Sequence, residues 1–324
     1  MRKVAVIGLG NIAARHRRNL KILFPESELY AMSASGRVPS EKIENCDYIV
    51  ASIEELIEKN IDLAVVASPS PFHAQHSLPL IKRGIPTLIE KPVTTSIDDA
   101  DSILRAIEQY KTPVAVGYCL RYLPSTQKLK ELFDDQVIGD LYNAHVEIGQ
   151  YLPDWRPTKN YRDSVSANRN LGGGALLELS HELDYAQWLL GPLKLQHAVL
   201  RSSRELGLDV EDMVDILATT NVNAVVTIHL DFLQRKGYRH CSFIGSKGRI
   251  EWDLIQNEIM LTREEGISVL YCDPIWDKNK MYLAMIEDFV QMIQGNTHSC
   301  VQLSEAVKTV SLINEIKQQH QASN

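Results

Sequence analysis

Two short stretches place chemically capable residues at a spacing that matters. In "KVAVIGLGNIAARHRRNL" a short apolar, β-branched run leads into Gly8, Gly10 and Ala13, and a helical pattern follows. This is the GxGxxG/A arrangement in its required context of strand, tight turn and helix. Gly8 permits the turn, Gly10 lets backbone approach a pyrophosphate, and Ala13 allows close helix packing. The helix then opens at Asn11 and Ile12, whose end of the helix faces the anion. The expected chemistry is dinucleotide binding. The second stretch, "LIEKPV", follows an apolar run with Glu90, Lys91 and Pro92. Pro92 fixes φ and biases Lys91 away from helical geometry, so the chain leaves that strand in a defined direction. A charged pair at a strand end can be surface alone, but in a parallel sheet the carboxyl ends of the strands are where ligands bind.

The second strand, "ELYAM", should carry the residue that reads the adenosine ribose, where an NAD site usually places Asp or Glu. Here it runs into "SASGR" with no carboxylate. Ser33 and Ser35 can donate hydrogen bonds and Arg37 can meet a 2'-phosphate, which favours NADP slightly over NAD.

The elements that position these residues alternate. Strands are expected at "YIVA", "LAVVAS", "TLIE" and "PVAVGY", separated by helical stretches such as "SIEELIEKN", "HAQHSLPLIKRG" and "SIDDADSILRAIEQYK". That alternation predicts a parallel, doubly wound sheet. "LIEKPV" then ends a parallel strand on the cofactor side, and "SPSPFHA" ends another. Ser68 in that segment is a further cofactor contact, and His73 stands where a helix begins, as a helix-start residue or as a ligand.

After "GYCLRYLP" the pattern changes. The helix "STQKLKELFDD" leads to long alternating strands, "LYNAHVEIGQY", "LQHAVLRSS", "MVDILATTN", "NAVVTIHLDFL", "RHCSFIGS", "GRIEWDL" and "EIMLTRE", with tight turns between several of them. These predict an antiparallel sheet with one face covered by helices. The fold class is therefore α/β: a Rossmann domain at 1–122 and an α+β domain with a mostly antiparallel open sheet at 123–324. Between the first of the long strands and the next stands "LPDWRPTKNYRDSVSANRNLGGG". Its Trp155, Arg156, Tyr161 and Arg162 offer an aromatic face and two planar cations suited to a sugar ring bearing a carboxylate or phosphate. Packing within the loop or against a neighbouring subunit is the equal alternative. Next, "ALLELSHELDYAQWLLG" predicts one strong helix.

Composition excludes several classes. With 44% hydrophobic and 23% charged residues among 324, the chain reads as globular and long enough for two domains. A formal net charge of -7 argues against nucleic acid, which needs clustered Lys and Arg. Five cysteines, widely spread and without a CxxC pair, read as reduced core thiols, so no disulfide frame and no metal site is expected. No apolar run approaches the ~18 residues of a membrane span, and the expected location is the cytoplasm.

Taken together, "GLGNIA", "DLAVVASPSPFHA", "EKPV", "GYCLRY" and "GGGALLELSHELDYAQWLLG" resemble the glucose-fructose oxidoreductase, inositol dehydrogenase and MocA group of sugar dehydrogenases, from residue 4 to about residue 191. The resemblance implies a nicotinamide cofactor and alcohol oxidation or carbonyl reduction on a carbohydrate-like molecule. It also implies a homodimer or homotetramer formed through the C-terminal sheet. In that group the lysine of EKP, here Lys91, lies at the reacting centre. Moving a hydride from a secondary alcohol leaves a proton to remove and charge on oxygen to stabilise, and a fixed ammonium can supply the stabilisation while Glu90 balances it. His181 and Asp184 match the H-x-x-D of the group, with His181 the general acid or base, and Arg121 falls with them among the substrate contacts. Imidazole suits the task because its unperturbed pKa of about 6.5 lets it take and return a proton near neutrality. The chain departs from the group at Leu177, four residues before the histidine, where a carboxylate is common. Glu178, three before, is the expected substitute on the same helical face. Two other readings share these residues: a redox-neutral glycosidase or epimerase with tightly bound NAD, and a regulator that senses nicotinamide without chemistry.

Overall fold

The computed structural model describes residues 1–323. From the N-terminus the chain forms β1 (Lys3–Ile7), α1 (Asn11–Leu23), β2 (Glu28–Met32), β3 (Tyr48–Val50), α2 (Ile53–Glu58), β4 (Leu63–Val66), α3 (His73–Lys82), β5 (Thr87–Ile89), α4 (Ile97–Tyr110) and β6 (Val114–Val116). Apart from the edge strand β3, the strands are short, apolar and almost wholly buried, as strands of a sheet covered on both faces must be. Serine hydroxyls start two of the helices: Ser52 accepts from the Glu55 amide at 3.2 Å and Ser96 from Asp99 at 3.4 Å. Every pairing is parallel, in the order β3-β2-β1-β4-β5-β6. The order reverses at β1 and β4, the switch point at which doubly wound sheets bind nucleotides.

The chain continues through α5 (Pro124–Asp134), β7 (Leu141–Gly149), α6 (Ala175–Glu178), α7 (His181–Leu190), β8 (Lys194–Arg201), β9 (Met213–Thr219), β10 (Val225–Asp231), β11 (Tyr238–Gly245), β12 (Gly248–Asp253), β13 (Glu258–Arg263) and β14 (Gly266–Cys272). It ends with α8 (Lys280–Ile293) and α9 (Leu303–Ser323). The second sheet runs β14-β13-β12-β11-β7-β10-β9-β8 and is antiparallel except where β10 pairs with β7. Period-two burial sets its register: Val214, Ile216 and Ala218 of β9 are buried while Asp215 and Leu217 are exposed. Each such Val or Ile gains roughly 1.5–3 kcal/mol by burial, and a one-residue slip would reverse the set. Helices cover the apolar face. Trp252 of β12 donates its indole N–H to Ser125 Oγ of α5 at 2.9 Å and meets the Tyr185 ring of α7 edge-on at 5.2 Å.

By compactness the chain divides into Met1–Cys119 with Asn279–Val310, and Leu120–Lys278 with Ser311–Asn324. This differs from a single cut after residue 122, because α8 belongs with the first unit. His16 of α1 meets Tyr282 of α8 with ring centroids 6.2 Å apart, and Asn19 exchanges hydrogen bonds with Asn279. Two further expectations change. The edge strand β14 went unread because its residues are exposed on both faces and carry no alternation. The helix expected over "ALLELSHELDYAQWLLG" is two helices, interrupted at Leu179 (φ -96°, ψ 28°) and Ser180. No helix among the described residues is long and apolar enough to cross a membrane.

Candidate active site

In the first unit the parallel register brings four predicted segments level. Ile7 pairs with Met32 and Val66, and Val66 with Ile89, so Gly8, Ser33, Ala67 and Glu90 leave the same edge of the sheet. Gly8 adopts φ 118°, and a Cβ there would lie 2.3 Å from the Ala67 carbonyl oxygen, so only glycine makes this turn. A Cβ on Gly10 meets nothing within 4 Å, which leaves open space beside the turn. The first turn of α1, from Asn11, has no side-chain cap and no acidic residue, so its N–H groups and the positive end of its dipole suit an anion. These features fit the pyrophosphate of a dinucleotide. Ile12 follows Asn11 in that turn and is half-buried.

Beyond β2, Ser33 is buried, and its hydroxyl has no hydrogen-bond partner among the described residues. Ser35 and Arg37 are exposed on the turn that follows. Ser68 is buried and its hydroxyl meets His76 Nδ1 at 2.9 Å. His73 is 1% exposed, with Nε2 2.8 Å from the Ser68 carbonyl oxygen and Nδ1 3.1 Å from that of Pro92. Burial lowers its pKa, against the opposing pull of those carbonyls and of the Glu90 charge. His73 thus sits between the loop after β4 and the loop after Lys91, its ring within hydrogen-bond distance of carbonyls of both, as a helix-start residue with polar partners.

Lys91 follows β5 at this same edge, and the peptide bond to Pro92 is cis. Glu90 is turned inward. Its Oε1 lies 2.6 Å from His16 Nε2, and its Oε2 accepts the Lys91 amide at 3.1 Å. Burial pushes the carboxyl up, but the His16 hydrogen bond and the charge of Lys91 outweigh it and hold Glu90 below the ordinary value. Glu90 therefore touches His16 and the Lys91 backbone. His16 was missed in the sequence. Its signal was position: three residues after Ala13 and four before Leu20, it lies on the buried face of α1, where a histidine requires a polar partner.

In the second unit Arg121 and Asp184 form a buried two-point ion pair, with the Arg121 guanidinium 5.2 Å from the Trp188 ring. Both were expected to meet substrate, and the structure joins them to each other. His181 is the first residue of α7, and Glu178 the last of α6. The break at Leu179 and Ser180 removes the assumption of one continuous helical face, so spacing alone no longer puts Glu178 beside His181. A second pairing that sequence reading missed anchors α7: Glu182, fully buried, accepts from Arg239 Nε of β11 at 2.7 Å.

The long loop is a run of single-turn helices. Trp155 packs edge-on against Phe232 at 5.4 Å, and the Tyr161 hydroxyl donates to the Leu206 carbonyl at 2.9 Å. Arg162 lies over the Tyr161 ring and is exposed, while Arg156 is half-buried. Trp155 and Tyr161 thus have packing and hydrogen-bond contacts within the second unit.

Two family models match the chain. Residues 2–118 match the oxidoreductase family with an NAD-binding Rossmann fold, and residues 126–251 match the GFO/IDH/MocA C-terminal domain. The chain belongs to the GFO/IDH/MocA family. Its relatives include a myo-inositol 2-dehydrogenase of Thermotoga maritima, 26% identical over 278 residues that cover 82% of this chain and 79% of the relative. An uncharacterised oxidoreductase of Synechocystis is 28% identical over 194 residues, covering 58% of this chain. The chain spans about half the length of that relative, 51%. Among solved structures, a levoglucosan dehydrogenase in complex with NADH superposes with a TM-score of 0.84 at 17% identity, over 99% of this chain and 97% of the other. That likeness establishes the GFO/IDH/MocA fold across both sheets.

Proposed function

We propose that this member of the GFO/IDH/MocA family transfers a hydride between a nicotinamide cofactor and a secondary alcohol or ketone of a sugar, amino sugar or nucleotide sugar. The observation that carries the reading is Lys91, fixed after β5 at the same sheet edge as the Gly8–Gly10 turn after β1. The turn and the start of α1 hold the pyrophosphate, and the nicotinamide supplies the hydride acceptor when bound. Lys91 stabilises charge on the substrate oxygen, and His181 takes or returns the hydroxyl proton. The absence of a carboxylate after β2, with Arg37 exposed beyond it, supports NADP at least as well as NAD. Relatives named for inositol and structures named for levoglucosan and UDP-N-acetylglucosamine support a polyhydroxylated substrate.

The open face of the second sheet exposes Val199, Leu217, Val225 and Ile244. Such apolar groups on an uncovered sheet support a homo-oligomer formed through that face. The test is oxidation of myo-inositol, levoglucosan and UDP-N-acetylglucosamine with NAD and with NADP, by the parent and by Lys91→Ala. Reduced cofactor should accumulate with at least one alcohol and not with the variant. Product without net reduced cofactor supports the redox-neutral reading instead.

A further inference from the structure

We propose that His16 is a positioning residue for Lys91, acting through Glu90 to tie the pyrophosphate-binding helix α1 to the strand end that presents the lysine; this rests on the role of Lys91 above. The route is short. His16 sits within the second turn of the helix that begins at Asn11, and its Nε2 is 2.6 Å from Glu90 Oε1. The other carboxylate oxygen accepts the backbone N–H of Lys91. One side chain thus links the element that holds the cofactor phosphates to the peptide that starts the catalytic residue.

The surroundings leave this carboxylate one arrangement. A Cβ on Gly117 would come within 3.1 Å of the Glu90 carboxyl carbon, so the end of β6 is pared to glycine to admit it. Glu90 is 6% exposed and His16 fully buried. The carboxylate only accepts, so the ring proton belongs on Nε2. Nδ1 has no hydrogen-bond partner among the described residues and then remains a lone pair, not a stranded donor. The charged and titratable groups facing Glu90 are His16 from α1, Lys91 after β5, His73 from α3 and Tyr282 from α8. None of the others is positioned to replace the His16 bond: His73 is held by backbone carbonyls, and burial raises the pKa of Tyr282, keeping it neutral. Without His16, burial dominates and Glu90 takes up a proton, which frees the Lys91 amide and removes a negative charge beside the ammonium.

The experiment compares His16→Leu, which removes the donor at similar bulk, with His16→Gln, whose amide can reach Oε1. The parent, both variants and Lys91→Ala are assayed with whichever of the three alcohols above the parent oxidises fastest, against pH. Binding of NADH and NADPH is followed by fluorescence. The expected result for His16→Leu is a fall in kcat of about tenfold or more at pH 7, recovering towards alkaline pH as Glu90 ionises, with cofactor affinity within about threefold. His16→Gln should restore most of the loss. In infrared spectra His16→Leu should show the carbonyl band of a protonated acid that Glu90→Gln in the same background removes. Parent kcat in His16→Leu overturns the proposal, as does a loss that is equal at every pH and shared by His16→Gln. Full activity in Lys91→Ala sinks the role of Lys91 whatever His16 does. The infrared band tests the His16–Glu90 couple alone, and its absence overturns that couple even when Lys91→Ala is inactive.

Discussion

Arg121 and Asp184 meet through two hydrogen bonds, Nε to Oδ2 at 3.0 Å and Nη2 to Oδ1 at 2.7 Å, with both side chains buried. A buried pair of this kind is costly to break from one side, because the remaining charge is left uncompensated. Asp184→Ala should destabilise the fold by about 3–5 kcal/mol, read as a shift of the urea midpoint. Replacing both residues with apolar ones of similar volume should cost much less. If the single and double variants are equally and slightly destabilised, the pair is not what holds α7.

Lys91→Ala should lower kcat on the order of 100-fold or more while leaving cofactor affinity within roughly tenfold, since the phosphates are held by the turn after β1. Steady-state kinetics beside a cofactor titration separates the two. An unchanged kcat refutes the assignment of the lysine.

Arg37 is exposed on the turn after β2. A charge-assisted contact to a 2'-phosphate contributes roughly 1.5–3 kcal/mol, so Arg37→Ala should weaken NADP about tenfold or more and leave NAD unchanged. Dissociation constants for both cofactors decide this. A strong NAD preference indifferent to Arg37 defeats the NADP reading.

Trp155 and Tyr161 are engaged with Phe232 and the Leu206 carbonyl. Their alanine variants should therefore lose at least about 1 kcal/mol of stability, whereas Arg156→Ala and Arg162→Ala should act mainly on substrate KM. Arginine variants with parent KM on every accepted substrate would leave the whole loop to packing.

His229 lies between Asp215 at 2.7 Å and Asp231 at 3.0 Å, and the Asp231 hydrogen bond, working against desolvation, does most to raise its pKa to about 9. A raised histidine stabilises the fold fully below its unfolded value near 6.5 and loses that contribution as pH climbs through about 9. Asp231 is lowered: burial opposes, but the His229 bond and the Leu233 and Gln234 amides prevail. Its contribution is present above the ordinary carboxylate range and is lost as pH falls through the lowered value. Both shifts express one interaction. The urea midpoint should decline between pH 7 and 10 more steeply in the parent than in His229→Gln. Parallel declines would remove the ion pair from the alkaline transition.

The sequence by itself determined the elements whose signals are local. Gly8, Gly10 and Ala13 announced the turn because a positive φ, a close approach and a tight helix contact each restrict the residue type at one position. The alternation of apolar strands and helices predicted a parallel sheet, and period-two burial the second sheet, because both patterns repeat within a few residues. What tertiary structure decided were partners far apart in the chain. That Glu90 meets a histidine depends on the fold bringing α1 beside the end of β5, and 74 residues separate it from His16. Arg121 and Asp184, each legible as a ligand-binding side chain, pair with one another across 63 residues. The helix break at Leu179 was also invisible, since the apolar spacing continues through it and only the local backbone angles interrupt the ladder. Propensity describes what a segment can form alone; a buried charge is assigned by whatever the fold brings within about 3 Å of it.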